Sequence, residues 1–574
     1  MEKIRALHER TDYKWIALAN TTLGVIMATI DSSIMLIALP DIFRGIKLNP
    51  LTPGNSFYLL WMILGFLIVS SVLVVSFGRL GDMFGRVKMY NLGFVVYTIA
   101  SLLLTITWMH GSSAALYLVI MRVFQGVGAA FIMANSVAIL TDAFPPHQRG
   151  LALGINNVAG ISGSFIGLIL GGLLGPIDWR LIFLISVPFG IAGTLWAYFM
   201  LKESKGAKRG GKIDWIGNLT FALGLVLIMI GITYGIEPHG TSAMGWTSPA
   251  VLSELIIGAL FMIVFAVYES YIKYPMFRLH LFRIRAYTSG VLSSFLAAIA
   301  RGGLMFMLII WLQGIWLPEH GYSFSQTPLM AGIFMLPLTA GILLAGPISG
   351  ILSDKYGARP FATGGMIGSA LAFILLDLLP INFVYWQFAL ILLLMGLSMG
   401  FFASPNRAGV MNSLPAKDRG AGGGMNTTFQ NSAQVLSIGI FFTLMIIGLA
   451  ATLPTSLTAG LAQHGVPSAL AAKIGHLPPV SVLFAAFLGY SPIKQLVPAK
   501  VFTALSKHNQ AILSGHSFFP DLISKPFSSG LGEAFIFAII ASLIAAIASW
   551  SRGKKYVHNE HVAEIPEAVE EKIV

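Results

Sequence analysis

The chain has 574 residues, of which 56% are hydrophobic and only 10% are charged. This composition is too apolar for the surface of a soluble protein and fits a chain that crosses a membrane many times. The sequence contains no cysteine, which excludes disulfides and thiolate metal sites, and we expect its net charge of +12 to face an anionic membrane surface rather than nucleic acid.

Apolar runs divide the chain into predicted membrane helices. About 20 helical residues are needed to cross the hydrocarbon core of a bilayer. The runs that are long enough lie at 15–41, 57–77, 89–109, 114–142, 150–174, 180–201, 214–236, 249–271, 286–316, 328–350, 360–379, 384–405, 421–451 and 531–550. No small-residue cleavage site follows the first run, so we expect a membrane helix there rather than a cleaved signal. The sequence thus predicts an all-α membrane protein with fourteen transmembrane helices.

The basic residues indicate how these helices are oriented. The termini and the loops after even-numbered helices hold 26 of the 36 lysines and arginines. Because cytoplasmic loops are enriched in Lys and Arg, we expect both termini to be cytoplasmic. The predicted location is the cell membrane.

Two charged residues of the first half lie inside predicted helices. Asp31 lies about 24 Å along helix 1, too deep for its carboxylate to reach the interface. Arg122 in helix 4 is a suitable partner for a buried carboxylate. We therefore expect the two side chains to act together.

Helix 5 carries a row of small residues. Gly160, Gly163, Gly167 and Gly171 recur at steps of three and four, which favours close helix packing over a direct ligand contact. Asn156 near the start of this helix is a candidate for lining a cavity.

A charged segment between two helices occurs twice in the chain. GRLGDMFGRVK begins at residue 78 and GILSDKYGAR begins 272 residues later, while FPPHQRG and LPAKDRG are 270 residues apart. This self-similarity predicts a duplicated architecture. The candidate gating-hinge residues are Gly78, Asp82, Gly85, Arg86, Asp354 and Arg359.

Helices 7 and 8 interrupt the duplication, because the second hinge follows helix 10 instead of helix 8. The predicted divisions are a six-helix bundle at 1–201, a basic linker with two inserted helices at 202–285, a second six-helix bundle at 286–551 and a cytoplasmic tail at 552–574. Residues 452–530 are predicted to form an external loop with a small helical lid. The histidines of this loop lack metal-ligand spacing.

The second half carries a third deep charge, Arg301 in helix 9, which lies 270 residues after Asp31. Equivalent first helices of two duplicated bundles should face each other across a central cavity. We therefore expect Arg301 and Asp31 to interact across that cavity. The alternative is that Arg301 pairs inside its own bundle or reaches the lipid headgroups. Further candidates for lining the cavity are Gln313, Asn426, Gln430 and Gln434.

Two motifs that resemble enzyme signatures lack the required context. GAKRGGKI at 206–213 has the spacing of a phosphate loop, but it ends in isoleucine where a hydroxyl must bind the metal. GLSMG in helix 12 resembles a nucleophile elbow, but it lies inside an apolar helix. The sequence therefore predicts no use of ATP, no metal or other cofactor, and no enzymatic activity.

Four segments together resemble the major facilitator superfamily: GRLGDMFGRVK, RVFQGVGAA, TIDSSIMLIALP and WRLIFLISVPFG. The count of fourteen helices resembles that of its drug:proton antiporter branch, whose members have fourteen spans. The resemblance implies two pseudo-symmetric six-helix bundles, alternating access and proton coupling. The antiporter motif of helix 5 has a proline where this chain has Leu168.

Duplicated helices with deep charges and no ATP site predict an ion-coupled secondary transporter. The resemblance narrows this prediction to export of amphipathic or cationic small molecules in exchange for protons. Asp31 would bind the proton or cation, with Arg122 and Arg301 tuning it. The alternatives are an exporter of lipids or lipid conjugates, and a membrane sensor or scaffold that transports nothing. The expected partners are the small-molecule substrate, protons and the bilayer, and the protein is expected to be a monomer.

Overall fold

The computed structural model describes residues 13–52, 54–145, 148–203, 214–240, 244–273, 275, 277–415, 418–489 and 493–553. The predicted phosphate-loop-like segment and nearly all of the predicted cytoplasmic tail lie outside these residues. Within them, fourteen helices are long and apolar enough to cross a membrane, which confirms the predicted number. From α1 to α14 they are Tyr13–Gly45, Asn55–Phe84, Arg86–Thr105, Gly111–Ala143, Arg149–Leu174, Leu181–Met200, Trp215–Gly235, Pro249–Tyr271, Arg285–Glu319, Thr327–Tyr356, Ala358–Asp377, Tyr385–Asn412, Arg419–Gln463 and Phe518–Trp550.

The same helix pairs pack together in both halves of the chain. α1 packs along α5, and α4 packs between α2 and α3; in the second half α9 packs on α13, and α12 packs between α10 and α11. Because fourteen spans return the chain to its starting side, α1 begins and α14 ends at one face, which we call the terminal face. The opposite face, which carries residues 464–517, is called the loop face.

Two helices are longer than the sequence predicted. α13 continues to Gln463 instead of ending near 451, and α14 begins at Phe518 instead of 531. The predicted external loop at 452–530 is therefore shortened to 464–517. Hydropathy marks where a helix leaves the apolar core, but a polar helix can continue into water.

Close packing of α5 against α1 explains the glycine row. A Cβ on Gly163 would lie 3.0 Å from the carbonyl oxygen of Ile26, and one on Gly171 would lie 2.9 Å from that of Ile34. Gly167 faces the backbone of Ile30 between these two contacts. α5 also continues as a helix through the Leu168 position. The glycine row therefore sets the distance between α5 and the helix that carries Asp31.

Both charged hinges turn on a glycine with a positive backbone angle. Gly85 joins α2 to α3 with φ of 112°, and Gly357 joins α10 to α11 with φ of 85°. Side chains disfavour this region of backbone space, whereas glycine enters it freely. The duplicated sequence thus produces the same turn twice at the terminal face.

The inserted helices lie beside the seam between the two halves. α7 contacts both α2 and α13. Phe57 of α2 stacks on Tyr234 of α7 with ring centroids 5.5 Å apart, and a Cβ on Gly439 of α13 would meet Ile232 of α7 at 2.7 Å. α8 packs on α7 and is otherwise largely exposed. The inserted pair therefore covers one side of the seam.

The loop-face segment is helical, as expected, and one of its helices is buried in the protein. Pro479–Phe487 contacts α2 of the first half as well as α9, α13 and α14 of the second. Phe484 packs on Phe442 with centroids 5.5 Å apart, and Phe487 packs on Phe306 at 5.8 Å. We call Pro479–Phe487 the loop-face helix; it bridges the two halves.

We expect Gly167→Ala to destabilise the protein by about 1–3 kcal/mol, because the added methyl group overpacks the α1 contact. Gly154→Ala on the same helix is the matched control, since a Cβ there meets nothing within 4 Å. Thermal unfolding of the purified variants in detergent measures both effects. Equal stability of the two variants would contradict the role given to the glycine row.

Candidate functional site

An ion pair between Asp31 and Arg122 lies inside the first half. Asp31 of α1 is fully buried and Arg122 of α4 is 1% exposed, and the arginine Nη1 donates to the Asp31 carboxylate. The arginine Nε donates to the carbonyl oxygen of Met62 at 3.1 Å, and the guanidinium lies 4.4 Å from the centre of the Phe66 ring. The pair thus ties together α1, α2 and α4.

Gln125 completes this site, and the sequence analysis did not single it out. Its Nε2 donates to the second oxygen of Asp31 at 3.0 Å and to the Ser101 hydroxyl at 2.9 Å, while its Oε1 accepts from Arg122 at 2.5 Å. Gln125 follows Arg122 by three residues, which places both on one face of α4. This three-residue spacing was the signal in the sequence from which Gln125 could have been identified. Both carboxylate oxygens of Asp31 are therefore satisfied within the first half.

The expected interaction between Arg301 and Asp31 is not found. Arg301 instead lines a cavity inside the second half, together with residues of α11, α12 and α14. An equal offset in the repeat gives the two residues equivalent positions along their helices. It does not fix the direction of the side chains, and α9 is interrupted at Gly302 and Gly303, directly after the arginine.

The first hinge forms a charge network at the terminal face. Arg86 donates from Nε to Asp82 at 2.8 Å and from Nη1 to Asp142 of α4 at 2.6 Å. Gly78 contacts the same helix loosely, with a Cβ position 3.8 Å from Ala134. The predicted hinge residues are thus brought together, and Asp142 is an additional member.

Glu203 is a further member of this network that sequence reasoning missed. Its carboxylate accepts from the backbone N–H groups of Val87 at 3.2 Å and Lys88 at 3.3 Å. These groups belong to the first turn of α3, where unpaired donors and the helix dipole favour an anion. The only signal in the sequence was an acid three residues after the end of α6.

The second hinge has different chemistry. The guanidinium of Arg359 lies 3.6 Å from the centre of the Trp550 ring, while Asp354 is exposed. The residue 270 positions after Asp142 is Asn412, so the second half has no carboxylate at the equivalent position. The repeat keeps the turn and changes the partner of the arginine.

The candidate cavity-lining residues have varied surroundings. Asn156 and Asn426 are buried, each with one amide atom that has no partner among the described residues. Gln313 is buried and donates to the carbonyl oxygen of Ile37 of α1 at 3.4 Å. Along α13, exposure increases from Asn426 through Gln430 to Gln434. Their role in lining a cavity stays a prediction.

Arg407 joins the two halves near the terminal face. It lies inside α12, which the sequence analysis ended at residue 405, and its Nη1 donates to Asn157 of α5 at 2.9 Å. The neighbour of the predicted Asn156 therefore makes the contact between the halves.

A buried carboxyl group lies beside α2 at the loop face. Glu237 follows the end of α7 and is 8% exposed. Burial raises the pKa of its carboxyl group to about 7, and the nearby Ser56 hydroxyl opposes this shift. Glu237 can therefore change its charge near neutral pH.

The sequence is similar to those of known membrane transporters. The family described as Major Facilitator Superfamily matches residues 21–437. The riboflavin transporter RibZ of Clostridioides difficile is 28% identical over 75% of this chain and 87% of its own length. The methyl viologen resistance protein SmvA of Salmonella typhimurium is 29% identical over 79% and 87%. The tetracenomycin C resistance and export protein of Streptomyces glaucescens is 25% identical over 93% and 90%.

A solved structure has the same fold. The inward-facing, unoccupied crystal structure of a bacterial homolog to the human lysosomal transporter Spinster aligns with a TM-score of 0.57. It covers 94% of this chain and 98% of that protein at 14% sequence identity. The likeness extends to the fold and confirms the predicted fold class.

We expect Arg122→Gln to destabilise the protein by about 3–5 kcal/mol, because it leaves the buried Asp31 carboxylate without its counter-charge. The double variant Asp31→Asn/Arg122→Gln should recover most of this loss. Lys500→Gln, which changes an exposed cation of the loop-face segment, is the control and should change stability by about 0.5 kcal/mol or less. Thermal unfolding in detergent measures all three. Failure of the double variant to recover stability would mean that the pair is not the source of the loss.

We expect Glu237→Gln to stabilise the protein at high pH only. A pKa of about 7 in the folded protein, raised from 4.5, favours the neutral form, so the wild type loses stability as pH rises through this interval. The free energy of unfolding of the variant should exceed that of the wild type by nearly zero at pH 4.5 and by at most about 3 kcal/mol at pH 8. Unfolding temperatures across this pH range test it, with the exposed Asp178→Asn as control. A gain that does not depend on pH would contradict the assignment.

Proposed function

Because the chain belongs to the Major Facilitator Superfamily, we propose that it is a proton-coupled exporter of amphipathic or cationic small molecules. It is a multi-pass membrane protein and a transporter of small molecules, not an enzyme. To this general description, the proposal adds the identity of the coupling ion, the direction of transport and the class of substrate.

The observation that carries the proposal is the buried pair of Asp31 and Arg122. Two charges inside an apolar bundle are stable only while each compensates the other. A proton that binds Asp31 removes its charge and frees Arg122, whereas a cationic substrate can replace Arg122 as the partner of the carboxylate. Proton and substrate then compete for one group, which is the requirement for exchange.

The hinge network supports a link between this site and the terminal face. Arg86 binds two carboxylates on α2 and α4, and α4 also carries Arg122. A shift of α4 after protonation of Asp31 would therefore change the distance between Arg86 and Asp142. A contact that exists in one of two conformations stabilises that conformation.

The named relatives support the substrate class and the direction. Methyl viologen is an organic dication, and the tetracenomycin protein is named for both resistance and export. We propose that the termini are cytoplasmic and that the protein lies in the cell membrane, in line with the distribution of Lys and Arg. A second candidate is the transport of riboflavin-like compounds, favoured by the similarity to RibZ.

The test is proton release from the purified protein in weakly buffered detergent. Addition of methyl viologen or tetracenomycin C should release protons from the wild type, and Asp31→Asn should abolish the release. Arg285→Gln, an exposed cation at the start of α9, is the control. Asp82→Asn should retain release and substrate affinity but reduce turnover in proteoliposomes.

Two results decide between the candidates. Proton release by riboflavin alone would favour the second candidate. Unchanged release in Asp31→Asn would exclude this residue as the coupling site.

A further inference from the structure

The proposed exchange requires Asp31 to exist in an ionised and a protonated form, and its direct partners fit only the ionised one. Arg122 donates to one carboxylate oxygen of Asp31, and Gln125 donates to the other at 3.0 Å. An ionised carboxylate only accepts hydrogen bonds, whereas a protonated one also carries an O–H group that needs an acceptor. A guanidinium group has no acceptor. Arg122 therefore stabilises the ionised form alone.

Gln125 cannot supply the acceptor either, because its amide group is held in one orientation. The Ser101 hydroxyl donates to the backbone carbonyl oxygen of Tyr97 at 2.9 Å, so its oxygen accepts from Gln125 Nε2. The Gln125 Oε1 accepts from Arg122. A flipped amide would place its NH2 group against the guanidinium, donor against donor. Gln125 is thus fixed as a donor toward Asp31.

A tyrosine hydroxyl beside Asp31 has no partner of its own. Tyr97 of α3 is fully buried, and its hydroxyl group lies next to Asp31 and to Ser186 of α6. This hydroxyl makes no hydrogen bond to any residue that the structure describes. A buried hydroxyl without a partner is costly, and a hydroxyl can both accept and donate. We therefore expect a second state of the site in which this group is used.

Few other groups can influence the charge of Asp31. Within the described ranges, the charged or titratable groups facing it are Arg122 of α4 and Tyr97 of α3. α5 presents its glycine row to α1, and α6 presents Ser186 to Tyr97. α2 contributes the carbonyl oxygen of Met62, which accepts from Arg122. The Tyr97 hydroxyl is therefore in place to accept from a protonated Asp31.

We propose that Tyr97 is a positioning residue for the proton: its hydroxyl oxygen accepts the hydrogen bond of protonated Asp31, and its own hydrogen turns to the Ser186 hydroxyl. The inference rests on the proposed function, in which Asp31 binds the proton. When a cationic substrate binds, the proton leaves the carboxylate for water and no other covalent bond changes. Arg122 and Gln125 then serve the ionised form, and Tyr97 serves the protonated form.

The test is a pH titration of the purified full-length protein followed by infrared spectroscopy. The carbonyl band of a protonated carboxyl group that is missing in Asp31→Asn reports the proton on Asp31 directly and needs no substrate. Tyr97→Phe should lower the pH at which half of this band is lost by about 0.5–1 unit. This shift corresponds to about three- to tenfold weaker proton binding, the weight of one hydrogen bond.

Tyr90→Phe is the matched control, because it removes the same atom from the same face of α3 two turns earlier. Tyr90 is equally buried, but its hydroxyl donates to the carbonyl oxygen of Asn20 at 3.0 Å. The midpoint of the Asp31 band should stay unchanged in this variant, and thermal unfolding compares the stability of both. Ser186→Ala keeps the tyrosine and should lower the midpoint by less than Tyr97→Phe does.

The direction of the shift decides the proposal. A midpoint that stays at the wild-type value in Tyr97→Phe would overturn it. A midpoint that rises would also overturn it, because the hydroxyl would then donate to the ionised carboxylate. Methyl viologen that releases no protons from the wild type, while the Asp31 band still shifts in Tyr97→Phe, would count against the proposed function alone.

Discussion

The buried pair of Asp31 and Arg122 is the interaction on which the first half of this protein depends. Neither charge has access to water, so each is stable only if α1 and α4 stay at one distance and one register. The glycine row of α5 allows α1 to approach closely, and Gln125 uses the remaining oxygen of Asp31. Three helices that are far apart in the chain, α1, α4 and α5, thus together keep the two buried charges paired.

The two halves share a backbone plan but not their electrostatics. Gly85 and Gly357 form equivalent turns, yet Arg86 binds two carboxylates while Arg359 packs on an aromatic ring. Duplication preserves helix packing because backbone contacts depend on small residues and helix spacing. Side-chain partners can change one residue at a time, so the halves can specialise without a change of fold.

The fold could be read from the sequence because lipid imposes one strong rule: a spanning segment must be apolar and must satisfy its own backbone. The meeting of Asp31 with Arg122 was also predictable, since buried charges need partners. The direction in which the Arg301 side chain points was not predictable, because a sequence offset gives the position of a residue along a helix and not its rotation about the helix axis. Glu203 was missed because a helix cap formed by a distant segment leaves no local pattern.

The loop-face helix Pro479–Phe487 has a kinetic consequence. It is joined by the chain to the second half, but it also packs on α2 of the first. Separation of the halves at this face must break its contact with α2, and any buried side chain that faces α2 then meets water. Each large apolar side chain costs about 1.5–3 kcal/mol to expose to water, so losing even two of them would lengthen the lifetime of the closed state by roughly a hundredfold or more. In the proposed transport mechanism, this segment would therefore act as a latch between the halves.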